Sequence, residues 1–226
     1  MNYLNIDRED VCNGDGLRVV LWLSGCSHHC YNCQNPQTWN PDNGIPFDED
    51  AKQEIFEELS KDYISGITLS GGDPLNEHNI TEVLSLILEI RDKYPILKNS
   101  DSKKVRNFVD FWHENSNEIH ISSKPKTIWL YSGFTWEQIM YPMIMENIDL
   151  EREKIIKVRQ DILKLCDVFI DGRYIEEKRD ITLKWRGSSN QRVIDVQKSL
   201  EKNKICLYDR KNKLDRLLTI SNSNLR

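Results

Sequence analysis

The chain has 226 residues, of which 38% are hydrophobic and 30% charged, with a formal net charge of -5 and a mean hydropathy of -0.60. That length suits one domain with a sizeable core, and the acidic balance excludes the broad basic surface that sequence-independent nucleic-acid binding needs. No stretch approaches the apolar length of a bilayer span, and Met1 to Asp7 lacks the basic region and apolar core of a signal peptide, so the expectation is a cytoplasmic protein with no membrane or nucleic-acid partner.

In chain order, the first strong element is the apolar run Leu17 to Ser24, rich enough in β-branched residues to be a buried strand. It leads straight into Ser24-Gly25-Cys26-Ser27-His28-His29-Cys30-Tyr31-Asn32-Cys33. A helix is predicted from about Asp48 to Asp62, opened by acidic residues and carrying Ile55, Phe56 and Leu59 on one side. A short strand, Gly66 to Ser70, then enters the turn Gly71-Gly72-Asp73-Pro74, followed by a helix from about Ile80 to Tyr94.

A polar segment at about 97–126, with a helix suggested around Val105 to Glu114, interrupts the rhythm and reads as a surface insertion. Strand character returns at Thr127 to Tyr131. Thr135-Trp136-Glu137-Gln138 has the form of a capping box. An amphipathic stretch from about Leu150 to Leu165 and a strand at Asp167 to Asp171 complete the alternation. Repeated strand-helix units imply an α/β fold with a mostly parallel sheet, open or curled into part of a barrel, whose ligands gather beyond the carboxyl ends of the strands. Residues 1–196 form the expected domain; 197–226, with Lys198, Lys202, Lys204, Arg210, Lys211, Lys213, Arg216 and Arg226, form a basic tail expected to be solvated.

Two motifs carry chemistry. The spacing C-x3-C-x2-C lets one short loop aim three sulfurs at a single centre, one short of the four thiolates of a closed iron-sulfur cluster, which leaves one iron open. Zinc with His28 or His29 as fourth ligand is the competing reading, at the cost of folding a very short loop back on itself. A disulfide would leave an odd thiol. Cys12, Cys166 and Cys206 lie outside the spacing and are expected to be non-ligands. The second motif, Ser70 to Leu75, places two glycines directly after a strand, where a ligand can lie against bare peptide groups. Taken alone, such a pair is a tight turn.

Together the two motifs resemble the radical S-adenosylmethionine superfamily, whose fold is a partial (β/α) barrel. The resemblance implies one 4Fe-4S cluster held by Cys26, Cys30 and Cys33, with S-adenosyl-L-methionine chelating the open iron and its methionine end bordered by Gly71, Gly72 and Asp73. Asn32, Cys33 and Gln34 are then expected to lie close to the cofactor by their backbones, with Gly133, Asp171 and Arg173 within its reach at strand ends. Within the superfamily, Val11 to Arg18, Asn35, Thr38-Trp39, Tyr131 to Phe134, Val168 to Arg173 and Trp185-Arg186-Gly187-Ser188-Ser189-Asn190-Gln191 are similar to the activating proteins of the anaerobic ribonucleoside-triphosphate reductase.

That family implies an oxidoreductase that splits the sulfonium of S-adenosylmethionine with one electron, giving methionine and a 5'-deoxyadenosyl radical that takes a hydrogen from a glycine of the reductase. It further implies a flavodoxin-type electron donor. No side chain acts as general base or nucleophile in that scheme, so the expected catalytic set is empty and the five histidines are expected to be ordinary, His28 and His29 lying in a solvated loop. The alternatives are an activating enzyme of another glycyl-radical partner, such as pyruvate formate-lyase, and a zinc-stabilised binding module.

Overall fold

A computed structural model describes residues 1–96, 125–142 and 149–209. The expected insertion, the helix around Val105 to Glu114 and the end of the tail lie wholly or largely outside them. Among the described residues seven strands form one sheet: β1 (Asn2–Asp10), β2 (Leu17–Leu23), β3 (Ile45–Pro46), β4 (Ile64–Gly71), β5 (Thr127–Tyr131), β6 (Val168–Asp171) and β7 (Arg192–Asp195). Their spatial order is β3-β1-β2-β4-β5-β6-β7. The middle pairs β2-β4, β4-β5 and β5-β6 are parallel, while β1 and β7 close the flanks antiparallel, so the expected parallel sheet is the centre of a mixed one. The flanking strands carry no unbroken apolar run, which is why they escaped the sequence pattern.

Among the described residues five α-helices connect or follow the strands: α1 (Glu49–Ser60), α2 (Ile80–Lys93), α3 (Trp136–Met140), α4 (Leu150–Leu165) and α5 (Val196–Lys202). Their starts are chemically marked. Asp48 accepts the Ala51 N–H at the head of α1, Asp149 caps α4 and Asp195 caps α5. Thr135 and Gln138 form the anticipated reciprocal capping box on α3.

Side-chain alternation sorts the two faces of the sheet. Val19, Leu21, Leu23, Ile67, Leu69, Ile128, Leu130, Phe169 and Ile194 join residues of all five helices in one core. The opposite face carries Trp129, Val168, Ile170 and Val193, packed among the described residues by Tyr131, Trp185 and Tyr208. Trp185 meets Trp129 edge-on at 5.0 Å, and Tyr208 meets it at 5.1 Å.

The start of the expected tail is therefore folded. Val196–Lys202 is helical, the Tyr208 N–H donates to the Val193 carbonyl at 2.8 Å, and the Tyr208 hydroxyl donates to Asp15 at 3.0 Å. Local charge concealed a segment whose aromatic residue packs on the Trp129 face of the sheet. Among the described residues, no helix is long and apolar enough to cross a membrane.

Candidate active site

β2, β4, β5 and β6 run parallel, so their carboxyl ends open on the same edge of the sheet. The cysteine loop follows β2 and the glycine turn follows β4. Ser132-Gly133 follows β5, and Gly172-Arg173 follows β6. These ends meet around a cavity of about 190 Å³ whose lining includes Cys26, Cys30, Cys33, Gly72, Gly133 and Arg173.

The base of the cysteine loop is zipped to the glycine turn by backbone. The Gly72 N–H donates to the Leu23 carbonyl at 2.7 Å and the Asp73 N–H to the Gly25 carbonyl at 2.8 Å. Asn79 adds its side-chain amide, which donates to the Ser24 carbonyl at 2.7 Å and to the Asp73 carbonyl at 3.0 Å. The approach leaves no room for a side chain at Gly72, since a Cβ there would lie 2.5 Å from the Gly25 oxygen. Asn32 turns the loop in a left-handed conformation with φ 53, a region that asparagine tolerates better than most residues.

Burial pushes the Cys26 thiol up to about 11, against backbone hydrogen bonding that favours the thiolate. Cys30 is also raised, chiefly by burial, while a backbone hydrogen bond from Tyr174 and, more weakly, the Arg173 charge pull it back down. Thiols so placed hold their protons near neutrality until a metal displaces them. Among the described residues, no group of three His, Cys, Asp or Glu side chains is placed to hold a single metal ion. Three thiolates around a four-iron cluster bind three different irons and need not converge on one point.

The sequence-predicted residues divide. Cys26, Cys30, Cys33, Gln34, Gly71 and Gly72 line the cavity, as do Gly133 and Arg173. Asn32 is exposed and Asp73 lies behind the wall, 1% exposed. The Asp73 carboxylate is committed to the protein: one oxygen accepts from His28 Nε2 at 2.6 Å, Ser132 Oγ at 2.9 Å and the Gly133 N–H at 3.2 Å, and the other from the Leu75 N–H at 2.8 Å. Asp171 is likewise taken up, by the Trp136 N–H and by Arg192, and joins β6 to its neighbours.

The expectation of a solvated loop fails for His28, which is 7% exposed. His29 is exposed and stacks on Trp39 at 4.8 Å. Trp185 to Gln191 forms a self-bonded turn: Gln191 Oε1 accepts the Gly187 and Ser188 N–H groups at 3.0 and 3.2 Å. The turn clasps the end of β6, with the Gln191 amide donating to the Gly172 carbonyl and the Asn190 amide to that of Arg173.

Several lining residues could not be assigned from sequence. Trp39 Nε1, the Tyr131 hydroxyl and Arg186 Nε are buried without a partner, and they are three of five such side-chain atoms among the described residues. Burial holds the Tyr131 phenol well above its ordinary value, as an uncharged donor. Unsatisfied buried donors are costly, and their concentration at one cavity is what a polar ligand would relieve. Three thiols, a bare peptide edge and orphaned donors thus fit a cluster with an open iron and a polar cofactor against it.

Comparison with known proteins agrees with this geometry. A family model described as a 4Fe-4S single cluster domain matches residues 12–122 and 103–194. The chain is 35% identical over 194 residues to the anaerobic ribonucleoside-triphosphate reductase-activating protein of Enterobacteria phage T4, covering 85% of this chain and 93% of that protein. It is similar to the proteins of the same name from Pasteurella multocida, 30% identical over 84% of this chain and 95% of the relative, and Escherichia coli K12, 29% identical over 85% and 97%.

Proposed function

Because this chain belongs to the family of anaerobic ribonucleoside-triphosphate reductase-activating proteins, we propose that it generates the glycyl radical of that reductase by reductive cleavage of S-adenosylmethionine. The observation that carries the reading is the meeting of the Cys26, Cys30 and Cys33 loop with the Gly71-Gly72 turn at one cavity beyond the parallel strands. The match to a single-cluster 4Fe-4S domain gives the cluster, and the three cysteines are its ligands in our reading. When bound, the cluster supplies the electron that divides the cofactor.

The chain's own tasks follow from its geometry. Gly71 and Gly72 offer peptide groups to the methionine end of the cofactor, while Gln34 borders the third ligand. Tyr131, Arg186 and Trp39 supply donors that the protein itself leaves unpaired. Asp73 acts from behind, holding the turn, Ser132 and Gly133 in register.

We assign the sheet to a partial (β/α) barrel of radical S-adenosylmethionine type. Among the described residues the five α-helices share one face, as the outer helices of a barrel do, and Trp129, Trp185 and Tyr208 pack on the other. In this reading residues 1–196 are the activase unit and the extension folds onto it as far as Tyr208. A flavodoxin-type protein delivers the electron, and the reducing cytoplasm keeps the thiols available.

The test is anaerobic reconstitution with iron and sulfide, reduction, and incubation with S-adenosylmethionine and the reductase. A brown protein that forms 5'-deoxyadenosine and a glycyl-radical electron paramagnetic resonance doublet on the reductase is expected. A doublet on pyruvate formate-lyase instead would move the chain to the other partner. A colourless zinc protein without affinity for S-adenosylmethionine would overturn the reading.

A further inference from the structure

His28 lies inside the cysteine motif, between Cys26 and Cys30, yet it is buried and bonded at both ring nitrogens. Arg173 Nε can only donate, and it lies 3.2 Å from His28 Nδ1, so Nδ1 accepts and the ring proton sits on Nε2. That proton is given to Asp73 Oδ2 at 2.6 Å. The ring edge rests on Phe134 at 4.6 Å, and the backbone of Gly133 lies so close that a Cβ there would fall 2.3 Å from His28 Cδ2. One imidazole thereby touches the ends of β4, β5 and β6 from a loop that belongs to β2.

We infer that His28 is a positioning residue, fixing the cysteine loop against the Gly71–Asp73 turn and holding the Arg173 guanidinium beside Cys30. The inference rests on the cofactor reading above, in which cluster and methionine-binding edge are supplied by different strands. Backbone bonds from Gly72 and Asp73 secure only the base of the loop, at Leu23 and Gly25. The segment that carries Cys30 and Cys33 lies beyond them. His28 spans that gap with a rigid ring whose two nitrogens point to fixed partners, an arrangement that holds reacting groups more closely than loop backbone alone.

His28 borders the cavity, but both of its ring nitrogens are committed to Asp73 and Arg173, so its effect should fall on geometry and not on cluster content. Asp73 has four donors, and losing one leaves the carboxylate free to shift with the turn it anchors. Arg173 is exposed, so its displacement does not threaten the core.

The test compares anaerobically reconstituted full-length wild type, His28→Leu and His28→Gln. Iron and sulfide content, S-adenosylmethionine affinity by equilibrium binding, and the cofactor-induced change in the reduced cluster's electron paramagnetic resonance are measured. His28→Leu is expected to keep its iron yet bind the cofactor at least tenfold more weakly and lose the spectral change. His28→Gln, which retains a donor for Asp73, is expected to recover most of both. Wild-type affinity and spectrum in His28→Leu, or a loss confined to thermal stability, would overturn the inference. So would a His28→Gln variant as impaired as His28→Leu. Should His28→Leu take up no cluster, His28→Gln decides alone: near-wild-type values support the inference, and a tenfold loss overturns it. A wild-type spectrum that ignores S-adenosylmethionine would instead sink the cofactor reading itself.

Discussion

The two ends of the parallel strands bury polar groups to opposite purposes. At the amino ends, Arg91 donates to the Leu165 and Lys126 carbonyls and pairs with Asp167 at 2.5 Å, while Asp167 also accepts the Ile128 N–H. Lys126 donates to the carbonyls of Lys61 and Ile64 at 2.7 and 2.6 Å. At the carboxyl ends, Trp39, Tyr131 and Arg186 line the cavity and keep buried donors that have no partner in the protein. A polar network closed on itself joins elements; one left open at a cavity is prepared for something else.

Substitutions should separate the ends. Cys30→Ala at the carboxyl end is expected to abolish formation of 5'-deoxyadenosine, followed by chromatography, with little change in the unfolding midpoint of the cluster-free chain; Cys206→Ala should leave turnover intact. Full turnover in Cys30→Ala would remove the distinction. Arg91→Ala at the amino end should lower stability by about 3 kcal/mol, because it strands Asp167 and several carbonyls. Denaturant titration checks this, and the reduced-cluster spectrum of the folded fraction should not change.

A smaller effect belongs to the flank. Arg192, bonded to Glu137, holds that carboxyl down to about 2 from its ordinary 4.5. A folded value below the unfolded one stabilises above the unfolded value, and the contribution fades as pH falls from about 4.5 toward 2. Because the pair is partly exposed, Glu137→Gln should cost under about 1 kcal/mol at pH 7 and almost nothing once the pH falls below about 2. An unfolding difference that persisted unchanged to acid pH would assign the effect to packing instead.

Much of this was legible from local chemistry. The cysteine spacing, the glycine pair after a strand, the Thr135 capping box and the helix Leu150–Leu165 each depend on residues within one turn or one loop. His28 was not legible as a buried residue, because its partners Asp73 and Arg173 stand 45 and 145 positions away. The inward turn of Asp73 was not legible for the same reason: sequence shows a carboxylate after two glycines, not its four donors.

The sequence by itself determined which chemistry the chain can carry, since thiol number, spacing and a side-chain-free turn are properties of contiguous residues. Only the tertiary structure decided how those pieces are joined. Parallel pairing brings four strand ends to one edge, and burial then selects which polar groups must bond one another and which remain open to a ligand. It also folds part of a basic terminus into the molecule, because Tyr208 gains an aromatic face on Trp129 that no neighbouring residue could offer.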